Sequence, residues 1–188
     1  AGVRWRLRES ADTTRSSWPA LAEVDATVPG EVHPDLLASG TIPDPFDADN
    51  ESLLAWIGRT DWTYAARFTW SGNGHRRHDL VAEGLDTVAT VKLNGTIVGR
   101  TRNQHRGYRF EVTDLLVEGD NELVVDFEAP VNAAERLAEE LGPRPHTNQP
   151  PFNSIRTMAA NYARDRGPAL AAPGPWATAG AGARAGGR

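Results

Sequence analysis

The run WTYAARFTW at 62–70 puts Trp62, Tyr64, Ala66, Phe68 and Trp70 on alternate positions. Successive side chains of a strand point to opposite faces, so these five share one apolar side only if the run is extended; a helix would scatter them around its circumference. A strand with one such face is not stable alone and has to be covered on that side and paired along its edges.

The rest of the chain supplies partners of the same kind. Val3, Trp5 and Leu7 alternate with Arg4, Arg6 and Arg8, and Leu123, Val125 and Phe127 alternate with Val124 and Asp126. Tyr108, Phe110 and Val112 share a face, and 77–84 reads as a further strand. A short strand within 21–30 has to stop at Pro29-Gly30. Asn94-Gly95 lies between two strand-like runs, 87–93 and 96–101. Both residues tolerate positive φ, so the pair predicts a type I′ hairpin.

Helical signals are fewer. The stretch 31–39 predicts a short turn with Leu36 and Leu37 inward, and 40–61 predicts a crossing of one sandwich end that tucks in Phe46, Leu54, Trp56 and Ile57. The spacing predicts a helix over 132–142, capped by Asn132 with Glu135 three residues on. Its apolar stripe would be Ala134, Leu137, Ala138 and Leu141, and Gly142-Pro143 would end it. The class is therefore mainly β: an antiparallel β-sandwich with one substantial helix and short helical turns. A single domain is expected over 1–176, with 177–188, rich in Gly and Ala, as a disordered or truncated tail.

Composition narrows the chemistry. With no cysteine, thiol nucleophiles and thiolate metal sites are excluded. The net charge of -5 and scattered Lys and Arg argue against a nucleic-acid partner. No stretch approaches the roughly 20 apolar residues of a spanning helix, so no membrane partner is expected, and the compartment stays open. His33, His75, His78, His105 and His146 show no metal-binding spacing, and His75 and His78 are expected to be exposed around a turn. No phosphate-binding glycine loop or nucleophile elbow occurs, so no cofactor is expected. Glu111, Glu122, Asp126 and Glu128 read as a solvated strand face; a glycosidase needs two carboxylates at a controlled separation, about 5 Å or about 6.5–9.5 Å, which spacing in sequence does not supply. The tryptophans read as core packing before sugar stacking.

Beyond these patterns stand longer strings: Val28-Pro29-Gly30, Val32-His33, Asp35-Leu36-Leu37, IPDPF at 42–46, Asn50-Glu51, and Asp61-Trp62 with Tyr64. EGLDTVATVKLNG at 83–95 and NQHRGYRFEVTDLL at 103–116 follow in order. Together they resemble the N-terminal sugar-binding domain of β-mannosidases in glycoside hydrolase family 2, over roughly the first 170 residues. The resemblance implies a jelly-roll, galactose-binding-like domain ahead of an immunoglobulin-like domain and a catalytic (β/α)-barrel. It also implies that two barrel glutamates carry out retaining hydrolysis of terminal, non-reducing β-D-mannose. A barrel needs about 250 residues, more than this 188-residue chain holds, so no catalytic residue is expected in it.

In that family a C-x-F-G-W-D-W-G-P motif reaches from the jelly roll to the sugar pocket. The corresponding stretch here is 160–168, with Asp165, Gly167 and Pro168 kept, Arg164 and Arg166 where the family has tryptophan, and Ala163 at its first glycine. Guanidinium offers fixed donors and charge where indole offers a flat apolar face. The resemblance nominates Asp165, Arg164 and Asn103 as substrate-binding residues; beside Asn103, His105 replaces the family's usual phenylalanine. The implied partners are a β-mannoside and the two downstream domains. Two other readings stay open at this point: an autonomous carbohydrate-binding module, and a non-catalytic structural remnant.

Overall fold

Strand β3 (Trp62–Trp70) lies at the centre of a six-stranded antiparallel sheet, paired on one side with β1 (Arg4–Glu9) and on the other with β8 (Gly119–Phe127). The order is β2-β1-β3-β8-β5-β6, with β2 at Val24–Ala26, β5 at Ala89–Leu93 and β6 at Thr96–Thr101. A three-stranded sheet, ordered β7-β4-β9, is built from β4 (Arg77–Ala82), β7 (Tyr108–Glu111) and β9 (Ala179–Arg184). This computed structural model describes residues 3–10, 21–72, 74–142, 152–158, 161, 170–171, 173–175, 177 and 179–184.

The register explains the alternation. Tyr64 stands opposite Leu7 and Val125, and Trp62 opposite Phe127, so the apolar positions of three strands fall on one face. Leu7, Trp62, Tyr64, Val125 and Phe127 are fully covered, and Tyr64 meets Phe127 edge-on at 5.8 Å. Burying each such side chain contributes about 1.5–3 kcal/mol. The indole N–H of Trp62 donates to the Ile57 carbonyl at 3.0 Å, which leaves that buried donor satisfied. On the opposite face β3 and β8 pair Arg67 with Glu122, and β5 and β8 pair Lys92 with Asp126. That is the solvated face expected of Glu122 and Asp126.

Asn94 and Gly95 have φ of 49° and 80°, the pair of left-handed residues a type I′ turn requires. Asn94 also ties the tip down, donating to the Leu115 carbonyl and to Asn121 Oδ1 while accepting from the Glu122 N–H.

Several local expectations are corrected. Helix α1 (Val32–Ala38) buries Val32, His33, Asp35 and Leu36 but leaves Leu37 41% exposed. The buried face runs through 32–33 and, one turn on, 35–36, and Leu37 lies about 100° beyond Leu36, off that face. Phe46 is 76% exposed, whereas Leu54, at the end of α2 (Asn50–Leu54), and Ile57 in the 3₁₀ turn Ala55–Arg59 are buried. His78 is buried in β4, its ring edge-on to Trp70 at 5.1 Å, and is not an exposed turn residue. Helix α3 (Pro130–Leu141) starts ahead of Asn132, because Pro130 has the φ of a first helical residue already fixed. Asn132 and Glu135 face Arg59 instead of capping, Ala133 and Ala134 are the buried pair, and Leu141 is exposed.

Within 177–188, expected to lack regular structure, Ala179–Arg184 pair antiparallel with β4, Leu80 opposite Ala181. A sheet edge offers main-chain donors and acceptors to any extended segment, so Gly and Ala suffice there.

Candidate functional site

Four stretches of chain meet beside the small sheet, and Thr157, Met158 and Asn161 bond to one of them. The 83–88 connection after β4 carries Asp86, whose backbone N–H donates to the Gly174 carbonyl at 3.0 Å and whose carbonyl accepts from the Gly174 N–H at 3.1 Å. On its other side the 173–175 stretch runs along 30–32, Gly30 N–H to the Pro175 carbonyl at 3.1 Å and Val32 N–H to the Pro173 carbonyl at 3.2 Å. Position 174 has no room for a side chain: a Cβ there would lie 2.5 Å from the Gly30 carbonyl oxygen and 2.8 Å from Glu31 Cα. Glycine is what lets the three backbones lie this close.

The Asp86 side chain is 1% exposed and is a hydrogen-bonding hub. Its Oδ2 accepts from Thr157 Oγ1 at 2.8 Å, Asn161 Nδ2 at 3.2 Å and the Met158 N–H at 3.4 Å, and its Oδ1 accepts from Thr87 Oγ1. Asn161 Nδ2 also reaches Thr157 Oγ1 at 2.6 Å. Burial pushes the Asp86 carboxyl up to about 6, even though the Thr157, Met158 and Asn161 bonds favour its ionised form. Glu31 is pushed up to about 7, mainly by burial and further by the Asp86 charge. His33 is pulled down to about 4 by burial, and its Nδ1 has no hydrogen-bond partner among the described residues.

The fourth stretch is the 102–108 loop after β6. Asn103 forms a parallel bridge with Arg156, and the Gln104 N–H donates to the Arg156 carbonyl at 3.0 Å. Asn103 Oδ1 accepts from the His105 N–H at 2.9 Å, which leaves its Nδ2 as a donor with no partner among the described residues. The loop is shaped from below by Tyr108, whose hydroxyl accepts from the Arg102 and Asn103 N–H groups at 3.1 Å each. Its ring stacks on Phe110 at 6.2 Å and lies under the Arg106 guanidinium at 5.7 Å. Phe110 in turn lies against Gly99, where a Cβ would come within 2.1 Å of the ring.

Of the nominated residues, the structure thus places Asn103 against Arg156. Arg164 and Asp165 lie outside the described residues, as do Trp18, His146 and Trp176; Asp165 follows Asn161 by four positions in the chain. Asp86, Glu31, Thr157 and Asn161 were given no role by sequence reasoning. The one available signal was an aspartate inside an otherwise strand-like apolar stretch, GLDTVATV at 84–91. Among the described residues no three of His, Asp and Glu gather to hold a metal ion, and no helix is long and apolar enough to cross a membrane.

Residues 5–177 match the family described as glycosyl hydrolase 2 galactose-binding domain-like. Beta-mannosidase B of Thermothelomyces thermophilus is 34% identical over 179 residues, covering 92% of this chain and 20% of that protein. Beta-mannosidase A of Emericella nidulans is 34% identical over 191 aligned positions, 93% of this chain and 18% of that protein. The crystal structure of a β-D-mannosidase from Dictyoglomus thermophilum superposes with a TM-score of 0.84 at 33% identity, over 97% of this chain and 22% of that one. The chain spans about a fifth of the length of these relatives. The sandwich is a galactose-binding-like domain, as the sequence motifs implied.

Proposed function

Since the chain belongs to the glycosyl hydrolase 2 galactose-binding domain-like family, we propose that it forms one wall of a sugar pocket whose bond-breaking carboxylates come from a separate catalytic barrel. The substrate is a terminal β-D-mannose residue, the class named for its relatives, and the domain itself is non-catalytic. Asn103 contributes its free amide donor to a sugar hydroxyl, Asp165 accepts from hydroxyls, and Arg164 supplies fixed donors where a stacking indole would stand.

The observation that carries this reading is the collinear match of almost the whole chain to one fifth of β-mannosidases. The pairing of Asn103 with Arg156 supports it locally, because it brings one nominated residue beside the segment that leads to the other two. A barrel of about 250 residues does not fit in 188, which supports assigning hydrolysis elsewhere.

Two measurements test it. Purified chain incubated with a chromogenic β-mannoside is expected to release no product; turnover abolished by replacing one of its own acidic residues would overturn the non-catalytic assignment. Mannose titrated to millimolar concentration is expected to shift NMR signals of Asn103, Arg156 and the 161–166 run, weakened by Asn103→Ala and lost in Asp165→Ala. Shifts confined to other faces would sink the pocket assignment.

A further inference from the structure

Around Asn103 the chain offers donors and almost no acceptors. Residues 94–110 hold Arg100, Arg102, Arg106 and Arg109 and no Asp or Glu, in a chain whose net charge is -5. The Arg106 guanidinium lies over the Tyr108 ring at 5.7 Å, and the hydroxyl of that ring holds the Asn103 N–H at 3.1 Å. Arg156 bridges to Asn103, and residues bridged in register share a face. Arg106 and Arg156 are both exposed, and neither has a carboxylate partner among the described residues. We propose that this corner is an oxyanion site, in which Asn103, Arg106 and Arg156 take a carboxylate or phosphate group carried by a sugar. That the carrier is a sugar rests on the pocket-wall reading; the preference for an anion does not.

Three observations favour an anion over a neutral hydroxyl or an acidic protein face. A hydroxyl both donates and accepts, whereas carboxylate and phosphate oxygens only accept, so a wall of donors satisfies the anion and leaves the hydroxyl proton unmatched. The acceptors this loop does carry are withdrawn: Asn103 Oδ1 takes the His105 N–H at 2.9 Å, the Asn103 carbonyl takes the Tyr108 hydroxyl at 3.3 Å, and Gln104 is 2% exposed. Asp86, which bonds Thr157 next to Arg156, is buried and already met by Thr87, Met158 and Asn161. Finally, the donors belong to the short 102–108 loop and its one bridge, held from below by Tyr108 stacked on Phe110. That scale suits a single anionic group, whereas a protein partner needs a broad face.

The test is NMR titration of the full chain with three sugars that differ only at the C6 end: D-mannose, D-mannuronate and D-mannose 6-phosphate. At about 20 mM salt the two charged sugars are expected to bind about tenfold more tightly than mannose, shifting the Asn103 side-chain amide and the Arg106 and Arg156 Nε–H signals. Most of that gain should vanish at about 0.5 M salt. Arg106→Gln and Arg156→Gln are each expected to lower it about threefold and to leave mannose binding unchanged. Arg106→Lys, which keeps the charge without the flat fork, should fall between wild type and Arg106→Gln. Arg67→Gln, the same charge change on the outer face of the large sheet, is expected to alter nothing. Whichever charged sugar binds more tightly identifies the group as carboxylate or phosphate.

Equal affinity for all three sugars, or a gain that both glutamine variants keep, would overturn the oxyanion site and leave the pocket wall standing. An equal loss in Arg67→Gln would overturn it too, since that is what the field of the whole molecule produces. Inorganic phosphate, titrated alone, separates the two proposals. If it shifts Asn103, Arg106 and Arg156 as strongly as mannose 6-phosphate does, while mannose shifts nothing, the anion site stands and the pocket wall falls. A hexaglutamate peptide that shifts these signals when neither charged sugar does would replace the site with an acidic protein contact, and silence from every ligand removes both proposals.

Discussion

The two halves of the interior are held by different physics. Around β3 and β8 the buried contacts are Leu7, Trp62, Tyr64, Val125 and Phe127, apolar surface with its few polar atoms satisfied. Around Asp86 the buried groups are Asp86, Thr87, Thr101, Gln104, Thr157 and Asn161. The first half gains from area, which is non-directional and tolerant of small shifts. The second depends on donors meeting acceptors one by one, and any unmatched group costs the whole desolvation penalty.

The largest expected effect that separates them is in the apolar half. Phe127→Ala should cost about 3–5 kcal/mol in urea unfolding, with a loss that is the same at pH 5 and pH 8. A result that varied with pH would show that the large sheet is coupled to the carboxyl cluster after all.

The polar half should instead respond to pH. Asp86 titrates in the folded chain near 6 instead of its ordinary 3.8, and Glu31 near 7 instead of 4.5. Folded pKa values raised in this way mean the folded state holds those protons more tightly, so stability declines as pH rises through this window. For Asp86 the two-unit shift corresponds to about 3 kcal/mol across the whole window. Asp35, also raised by burial, acts in the same sense. His33, lowered to about 4, acts oppositely: its contribution grows as pH rises from about 4 to its ordinary 6.5. Unfolding midpoints between pH 5 and 8 should therefore fall gently. Glu31→Gln should flatten the slope above pH 6 and His33→Gln should steepen it; the same slope in all three proteins would refute the assignment.

Gly99→Ala sits at the border between the halves. Its methyl would run into the Phe110 ring, at a cost of about 1–3 kcal/mol, and should disturb the Asn103 amide signal through Tyr108. Smallest of all is Arg59→Ala. Arg59 and Glu135 pair at 2.8 Å in an exposed setting, so less than about 1 kcal/mol is expected, and less still in high salt.

The same contrast governs what was legible beforehand. Period-two patterns recovered β1, β3 and β8, and Asn94-Gly95 recovered its turn, because these signals are local. Leu37 and Phe46 were misplaced because hydrophobicity alone does not say which way a seven-residue helix or a proline-flanked turn faces. Asn132 looked like a cap until Pro130 moved the helix start. At the site, Asn103 was singled out through a motif string, whereas Asp86, although inside the string at 83–95, was given no role, since its Thr157 and Asn161 partners lie 71 and 75 residues away. No pattern within a window of the sequence encodes a contact of that span.

The strip where Gly30, Gly174 and Asp86 lie side by side joins residues from both extremes of the chain to its middle. Closing so long a stretch carries a large entropy loss, and it brings little return until the strands beneath it exist. During synthesis, moreover, Gly30 and Asp86 emerge long before Pro173 to Pro175 do. This strip should consequently be among the last parts of the domain to mature, assembled on a sandwich that has already folded.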